Sequence, residues 1–208
     1  MKDAYGNIAK WYDNIFEPLN SGLRKIGMKL DPPEVGMQVL DIGCGTGAHL
    51  LLYQNLGCEV YGVDTSPAML AIARNKLGSL AKLIQGDASK LPYQDNTFDL
   101  VMSTTVLHEL TPQVRSDIIE ESMRVVKEEG RILYIDFHPG PIKPIKGWLT
   151  KLIITLAEIA AGRDHFNNYR VFIKNGGLIA LANSHGLSIE NKRVVSGGAL
   201  AVVLLKKK

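Results

Sequence analysis

Two cysteines in 208 residues, Cys44 and Cys58, supply neither a disulfide framework nor a metal-ligand spacing, so no metal is expected. Excess charge is equally scarce. Against 21 Asp and Glu stand 24 Lys and Arg, a net +3, and no basic block is interleaved with aromatics, which argues against a nucleic-acid partner. The closing Lys206-Lys207-Lys208 reads as a solvated end. No apolar run approaches the roughly 20 residues needed to cross a bilayer. Met1 to Gly6 lacks the apolar core of a secretory signal, so a reducing, cytoplasmic setting is the expectation. What remains is an ordinary globular composition, 46% hydrophobic and 22% charged. Its length suits one domain, 1–208, with a substantial core.

One stretch organises the rest. Val39-Leu40-Asp41-Ile42 is a β-branched and aliphatic run ending near an acid, followed by the alternate glycines Gly43, Gly45 and Gly47 and then by Ala48 to Gln54, which reads as a helix. A strand, a tight turn and a helix start in this order present backbone N–H groups to an acceptor-rich ligand, and glycine lets that ligand lie against main chain. Gly43, Gly45 and Ala48 also fit the dinucleotide pattern G-x-G-x-x-G/A, with Asp64 placed to hold a ribose hydroxyl, so a nicotinamide-dependent oxidoreductase is one reading. Asp41 points elsewhere. A carboxylate just before the turn would repel a pyrophosphate, yet it suits the ammonium and sulfonium groups of S-adenosylmethionine (SAM).

Asp41-Ile42-Gly43-Cys44-Gly45-Thr46-Gly47, then a second strand ending in Asp64-Thr65, then Gly86-Asp87-Ala88, resembles the SAM-binding signature of Rossmann-like class I methyltransferases. The resemblance implies that Asp64 holds the ribose diol, with Thr65 beside it. Asp87 and Ala88 would meet the adenine edge, and Met69 would lie near the adenine. It also implies a mostly parallel seven-stranded sheet with helices on both faces and an antiparallel C-terminal hairpin. SAM would leave as S-adenosylhomocysteine. The segments Ile8 to Asp13 and Leu19 to Lys25 resemble the N-terminal lid of the ubiquinone/menaquinone C-methyltransferases and bacterial phospholipid N-methyltransferases. In such a lid, residues 1–30, the Tyr12 ring would cover the cofactor. Thr104 aligns with a hydroxyl residue that meets SAM in the quinone enzymes.

Hydrophobic periodicity and turn residues place the remaining elements. Helix is expected over 4–30, strands at 38–42, 59–63, 82–85, 98–103 and 131–137, and helices from Ser66 and from Pro112 to Lys127, the last ended by Gly130. Alternation of this kind means a parallel sheet, whose ligands lie beyond the carboxyl ends of the strands. The tail reads as two strands, 187–195 and 199–205, joined by Ser196-Gly197-Gly198. Between them and the fifth strand lies a helical insertion, 138–182, read as a substrate lid. Its apolar stretch 145–161, with Lys143, Lys146 and Lys151 near the start, could instead serve a dimer surface or rest on a bilayer.

Methyl transfer by in-line displacement needs donor and acceptor held collinear in a dry site, and a strong base is not obligatory. His108, His165 and Tyr169 are the candidate catalytic residues, of which His108 could act as a base or orient the acceptor. The expected acceptor is a small hydrophobic molecule, such as a quinone precursor, a lipid head group or an amine, acted on by a monomer or homodimer. A SAM-binding protein without catalysis is the remaining alternative.

Overall fold

The structure, a computed structural model, describes residues 9–208, with the side chains of residues 10–12 and 14–19 outside the description. The Tyr12 side chain therefore lies outside the described part of the structure. Seven strands form one sheet: β1 (Gln38–Ile42), β2 (Glu59–Asp64), β3 (Lys82–Gln85), β4 (Phe98–Thr104), β5 (Val126–Phe137), β6 (Ser188–Val195) and β7 (Leu200–Lys206). Their order is β3-β2-β1-β4-β5-β7-β6. The first five run parallel, and β7 enters antiparallel between β5 and β6.

Parallel strands covered on both faces carry continuous apolar runs rather than alternation. Val39, Leu40, Leu100, Val101, Met102, Ile132, Leu133 and Leu200 to Val203 are buried accordingly. The helices fall into two mutually touching groups. One holds α1 (Ala9–Leu30), α2 (Ala48–Gln54) and α3 (Pro67–Leu77). The other holds α4 (Pro112–Val125), α5 (Lys146–Ala161), α6 (Arg163–Lys174) and α7 (Gly177–Ser184). Caps fix two of these helices: Ser66 accepts from the Met69 N–H at 3.2 Å ahead of Pro67, and Thr111 accepts from the Val114 N–H at 3.5 Å ahead of Pro112.

Two expectations change. Helix α4 stops at Val125, not Lys127, because the Asn96 and Thr97 N–H groups donate to the carbonyls of Arg124 and Val125 and draw the chain into β5. Gly130 consequently sits inside β5 instead of closing a helix. A Cβ there would come within 2.9 Å of the Asp99 carbonyl oxygen and 3.0 Å of that of Phe98, beside an irregularity in the β4–β5 pairing. The second change concerns α5. Only Gly147, Ile154 and Glu158 of this helix are buried, while Trp148, Leu149, Leu152, Ile153, Leu156 and Ile159 are 51–62% exposed. The helix shows its apolar face to the outside, so it is not the buried lid that its blurred periodicity suggests. Its inner face rests on the turn before β7, where a Cβ on Gly147 would collide with the Gly197 carbonyl oxygen.

Candidate active site

Strands β1 to β4 end on one edge of the sheet, and the segments that follow them build two hollows on either side of the glycine turn. Gly43, Gly45 and Gly47 all take positive φ, at 70°, 52° and 73°. The turn is pinned to β2 by the Gly43 and Cys44 N–H groups, which donate to the Val63 carbonyl at 2.8 and 3.1 Å. The three glycines serve different ends. A Cβ on Gly45 would meet open space, one on Gly43 would strike Val106, and one on Gly47 would lie 2.7 Å from Leu77, so only Gly45 leaves room for a ligand while Gly47 allows α2 to pack on α3. Cys44 is buried against Gly62, and burial pushes its thiol up, which removes it as a nucleophile.

The larger hollow is a cavity of about 340 Å³ walled by Gly43, Gly45, Asp64, Thr65, Met69, Asp87, Ala88, Thr104 and Thr105. Aliphatic side chains of Val106, Leu110, Val114 and Ile118 close its far side, next to Glu109. Such a cavity, mostly apolar with a few fixed polar groups, is of the size that takes a nucleoside. Asp64 does more than point into it. Its Oδ2 accepts the Gly45 N–H at 2.8 Å and its Oδ1 the Ser66 N–H at 2.8 Å, so one carboxylate sets both the glycine turn and the start of α3.

The smaller hollow, of about 30 Å³, is polar and is lined by Asn20, Arg24, Asp41, Thr46 and His49, sharing Gly43, Gly45, Thr104 and Thr105 with its neighbour. That volume admits a small group and little more. Asp41 is 2% exposed, and its Oδ1 has no hydrogen-bond partner among the described residues. Burial raises its carboxyl to about 8, Asp64 adds to the rise, and Arg24 opposes it. Burial likewise lowers His49 to about 3, leaving a neutral ring whose Nδ1 lies 3.2 Å from Thr104 Oγ1. An orphaned, buried carboxylate oxygen facing a small polar space fits a cationic group of a ligand. Above this space Thr46 donates to Asp13 of α1, which Lys76 also contacts at 2.6 Å.

The three carboxylates singled out by sequence thus divide. Asp64 and Asp87 share the larger cavity, while Asp41 faces the adjoining small one across the glycine turn. Asn20, Arg24 and His49 join the site although the sequence singles none of them out, while Thr105 and Glu109 belong to the segment Thr104 to Leu110, which the sequence expects at the border of the cleft. Asn20 and Arg24 stand four residues apart in α1, a polar pair on one face of the helix. Thr105 carries a φ of 54°, unusual for a β-branched residue, and sits on the wall common to both hollows.

His108, His165 and Tyr169 do not line the larger cavity. The short turn Leu107–Glu109 carries Glu109 toward the cavity and His108 beneath it, where His108 Nδ1 lies 2.7 Å from Asp136 Oδ1 and Nε2 lies 3.4 Å from Glu158 Oε1. Burial alone would lower the imidazole, but Asp136 and Glu158 together push it up to about 10, so in this setting it holds a proton and cannot serve as a base. Tyr169 is buried against Phe137 and the His108 ring. The turn is tied to the insertion by Arg115, which donates to the Leu107, His108 and Asn168 carbonyls, and by Asn168, which donates to the Glu109 carbonyl at 2.8 Å.

A family model described as a methyltransferase domain matches residues 40–134. An uncharacterized methyltransferase of Synechocystis is 30% identical over 172 residues, covering 81% of this chain and 74% of the relative. A demethylmenaquinone methyltransferase of Desulfitobacterium hafniense is 29% identical, covering 100% and 89%. Among solved structures, a TehB-like SAM-dependent methyltransferase from Corynebacterium glutamicum superimposes with a TM-score of 0.65 at 21% identity over 96% of this chain and 98% of that one, a likeness of fold. These findings, with β7 inserted antiparallel, set aside the dinucleotide reading of Gly43, Gly45 and Ala48. The chain belongs to the class I SAM-dependent methyltransferases.

Proposed function

We propose that this enzyme methylates a small apolar acceptor of the quinone-precursor or lipid kind, drawn from a membrane surface. The observation that carries the reading is the outward apolar face of α5, with Lys143, Lys146 and Lys151 exposed or partly exposed beside Trp148. An exposed apolar strip with lysines along it suits the boundary of an anionic bilayer. No described helix is long and apolar enough to cross a membrane. The likeness to demethylmenaquinone methyltransferases supports the same class of acceptor.

Bound SAM supplies an electrophilic methyl group on a sulfonium. Asp64 would take the ribose diol while keeping its two backbone donors, and Asp87 with Ala88 would meet the adenine edge. Met69 and Val106 would supply apolar contact. Asp41 would face the amino group of the methionine part in the small hollow, with Arg24 near its carboxylate and Thr104 between the two hollows. Glycine at 45 lets the ligand lie against the turn. The chain's contribution is then to bind, orient and exclude water, which fixes the methyl carbon in line with the acceptor. His108, His165 and Tyr169 are read as support for the acceptor side of the site rather than as groups that touch the acceptor. Residues 1–208 act as one catalytic unit in this reading.

Methyl transfer from labelled SAM to a demethylated menaquinone, to phosphatidylethanolamine vesicles and to soluble amines tests the proposal. Turnover of the quinone or the lipid, stimulated by anionic vesicles, is expected. Turnover of soluble amines alone would overturn the acceptor class, and SAM binding without transfer to any acceptor would leave a protein that only binds the cofactor.

A further inference from the structure

We propose that His108, His165 and Glu158 form a site for one divalent transition-metal ion of the zinc type, which staples the insertion to the segment after β4. One ligand atom from each of the three lies within 4.8 Å of the others. They come from three separate elements: the turn 107–109, α5 and α6. Glu158 Oε1 lies 3.4 Å from His108 Nε2, and Oε2 lies 3.0 Å from His165 Nε2. Ligand atoms around tetrahedral zinc, each about 2.0–2.2 Å from the ion, stand about 3.3–3.6 Å apart; the two contacts, made to different Glu158 oxygens, are near that scale, and small side-chain shifts bring the set, now within 4.8 Å, onto one ion.

Three further observations point to an ion rather than to an ordinary ion-pair clasp. Each imidazole turns Nε2 toward Glu158 and Nδ1 toward a different carboxylate, Asp136 at 2.7 Å for His108 and Glu109 at 3.6 Å for His165. The His108–Asp136 hydrogen bond is how metal-bound histidines are fixed in tautomer and orientation, and at His165 a carboxylate stands near the same position. Glu158 is the one acid in the sequence of α5, it is 6% exposed, and its Oε2 has no hydrogen bond among the described residues despite the nearby ring nitrogen. Such a buried carboxylate oxygen, 3.0 Å from the His165 ring nitrogen without a well-directed hydrogen bond, is suited to a shared cation. Charge gives the third: Glu109, Asp136 and Glu158 surround the two imidazoles, so an ion that displaces the proton held by His108 finds three carboxylates to offset its charge.

Two ring nitrogens and one carboxylate select zinc-like ions over magnesium or calcium, which prefer all-oxygen shells. Three protein ligands leave a fourth position for water. The ion would lie next to Glu109, which borders the larger cavity. Its role is positional, holding α5 and α6 against the active-site wall.

The test uses the full chain without a histidine tag, stripped by chelator and titrated with zinc chloride and then cobalt chloride. We expect one ion per chain, cobalt absorption of the tetrahedral kind in the visible, and a rise in melting temperature. Glu158→Gln and His165→Ala should each weaken the ion's affinity by at least about tenfold, the effect seen even for partners outside the ligand set. His165 has a partly exposed side chain, so its replacement leaves the fold standing, and the unligated melting curve of each variant verifies this. Absence of stoichiometric binding by the unaltered chain, or binding that is equal in both folded variants, overturns the proposal. Neither outcome depends on which acceptor is methylated.

Discussion

Replacing Asp41 by Asn removes a charge while keeping the shape of the side chain, and its consequences can be worked out. Asp41 lies in β1 between Gly62 and Met102, with its carboxyl raised from 3.8 to about 8, chiefly by burial. A folded-state value above the unfolded one means that the carboxyl costs nothing below about pH 4, costs progressively more as pH climbs toward 8, and costs a constant amount beyond it. At pH 7 the interval from 3.8 amounts to about 4 kcal/mol at 1.36 kcal/mol per unit. Without cofactor, Asp41→Asn should therefore be the more stable protein by a few kcal/mol at pH 8 and nearly equal at pH 4. Its SAM affinity should fall roughly tenfold to a hundredfold, the loss of one hydrogen bond to a charged group. Cofactor binding supplies an independent readout. A carboxyl with a value near 8 is roughly nine-tenths protonated at pH 7, so pairing with a cationic group releases close to one proton. Calorimetry in buffers of differing ionisation heat should detect that proton in the native enzyme, and the Asn variant should lack it. If the stability difference between the two proteins stays flat from pH 4 to 8, and proton release is the same in both, Asp41 is not a carboxyl raised by burial.

The other predictions rest on separate contacts. Asp64→Ala should weaken SAM binding by about one to a few kcal/mol, as charge-assisted hydrogen bonds are lost. Because the Gly45 and Ser66 N–H groups also lose their acceptor, its melting temperature should fall too. Unchanged affinity in a titration would take Asp64 out of the site. Gly147→Ala should unseat α5 from the turn at Gly197 at a cost of about 1–3 kcal/mol, visible as faster proteolysis within 145–161, and unaltered cleavage would contradict the packing. Lys76→Met removes the cation that holds Asp13 below the usual carboxylate range against its own burial. That partly exposed pair should contribute no more than about 1 kcal/mol, present above the ordinary carboxylate value and lost in acid, so the variant should match the native melting temperature at low pH and fall slightly below it at pH 7.

Local chemistry made the sheet and the glycine-turn end of the candidate site readable. Asp41 to Gly47 is a strand running into a turn that only glycine can make, and a contiguous device of this sort keeps its geometry wherever it occurs. Asp64 and Asp87 were legible for a related reason: strands in a parallel sheet end on the same edge, so acids at their tips must meet. Ser66-Pro67 announced its helix, and the apolar tail announced β7. The extent of α4 was less legible, because Val125 and Val126 suit a helix or a strand and the Asn96 and Thr97 N–H groups decide between them.

What the sequence by itself determined, then, is the order of elements, the glycine turn and the strand-end acids, since each depends on neighbours along the chain. Tertiary structure alone decided that Asp41 and Asp64 face different hollows, that Glu109 and not His108 borders the larger cavity, that α5 turns its apolar side outward, and that His108, Asp136, Glu158 and His165 converge. Those outcomes join positions tens of residues apart, and which side of a helix or turn is covered depends on what packs against it, a condition that periodicity along one segment does not contain.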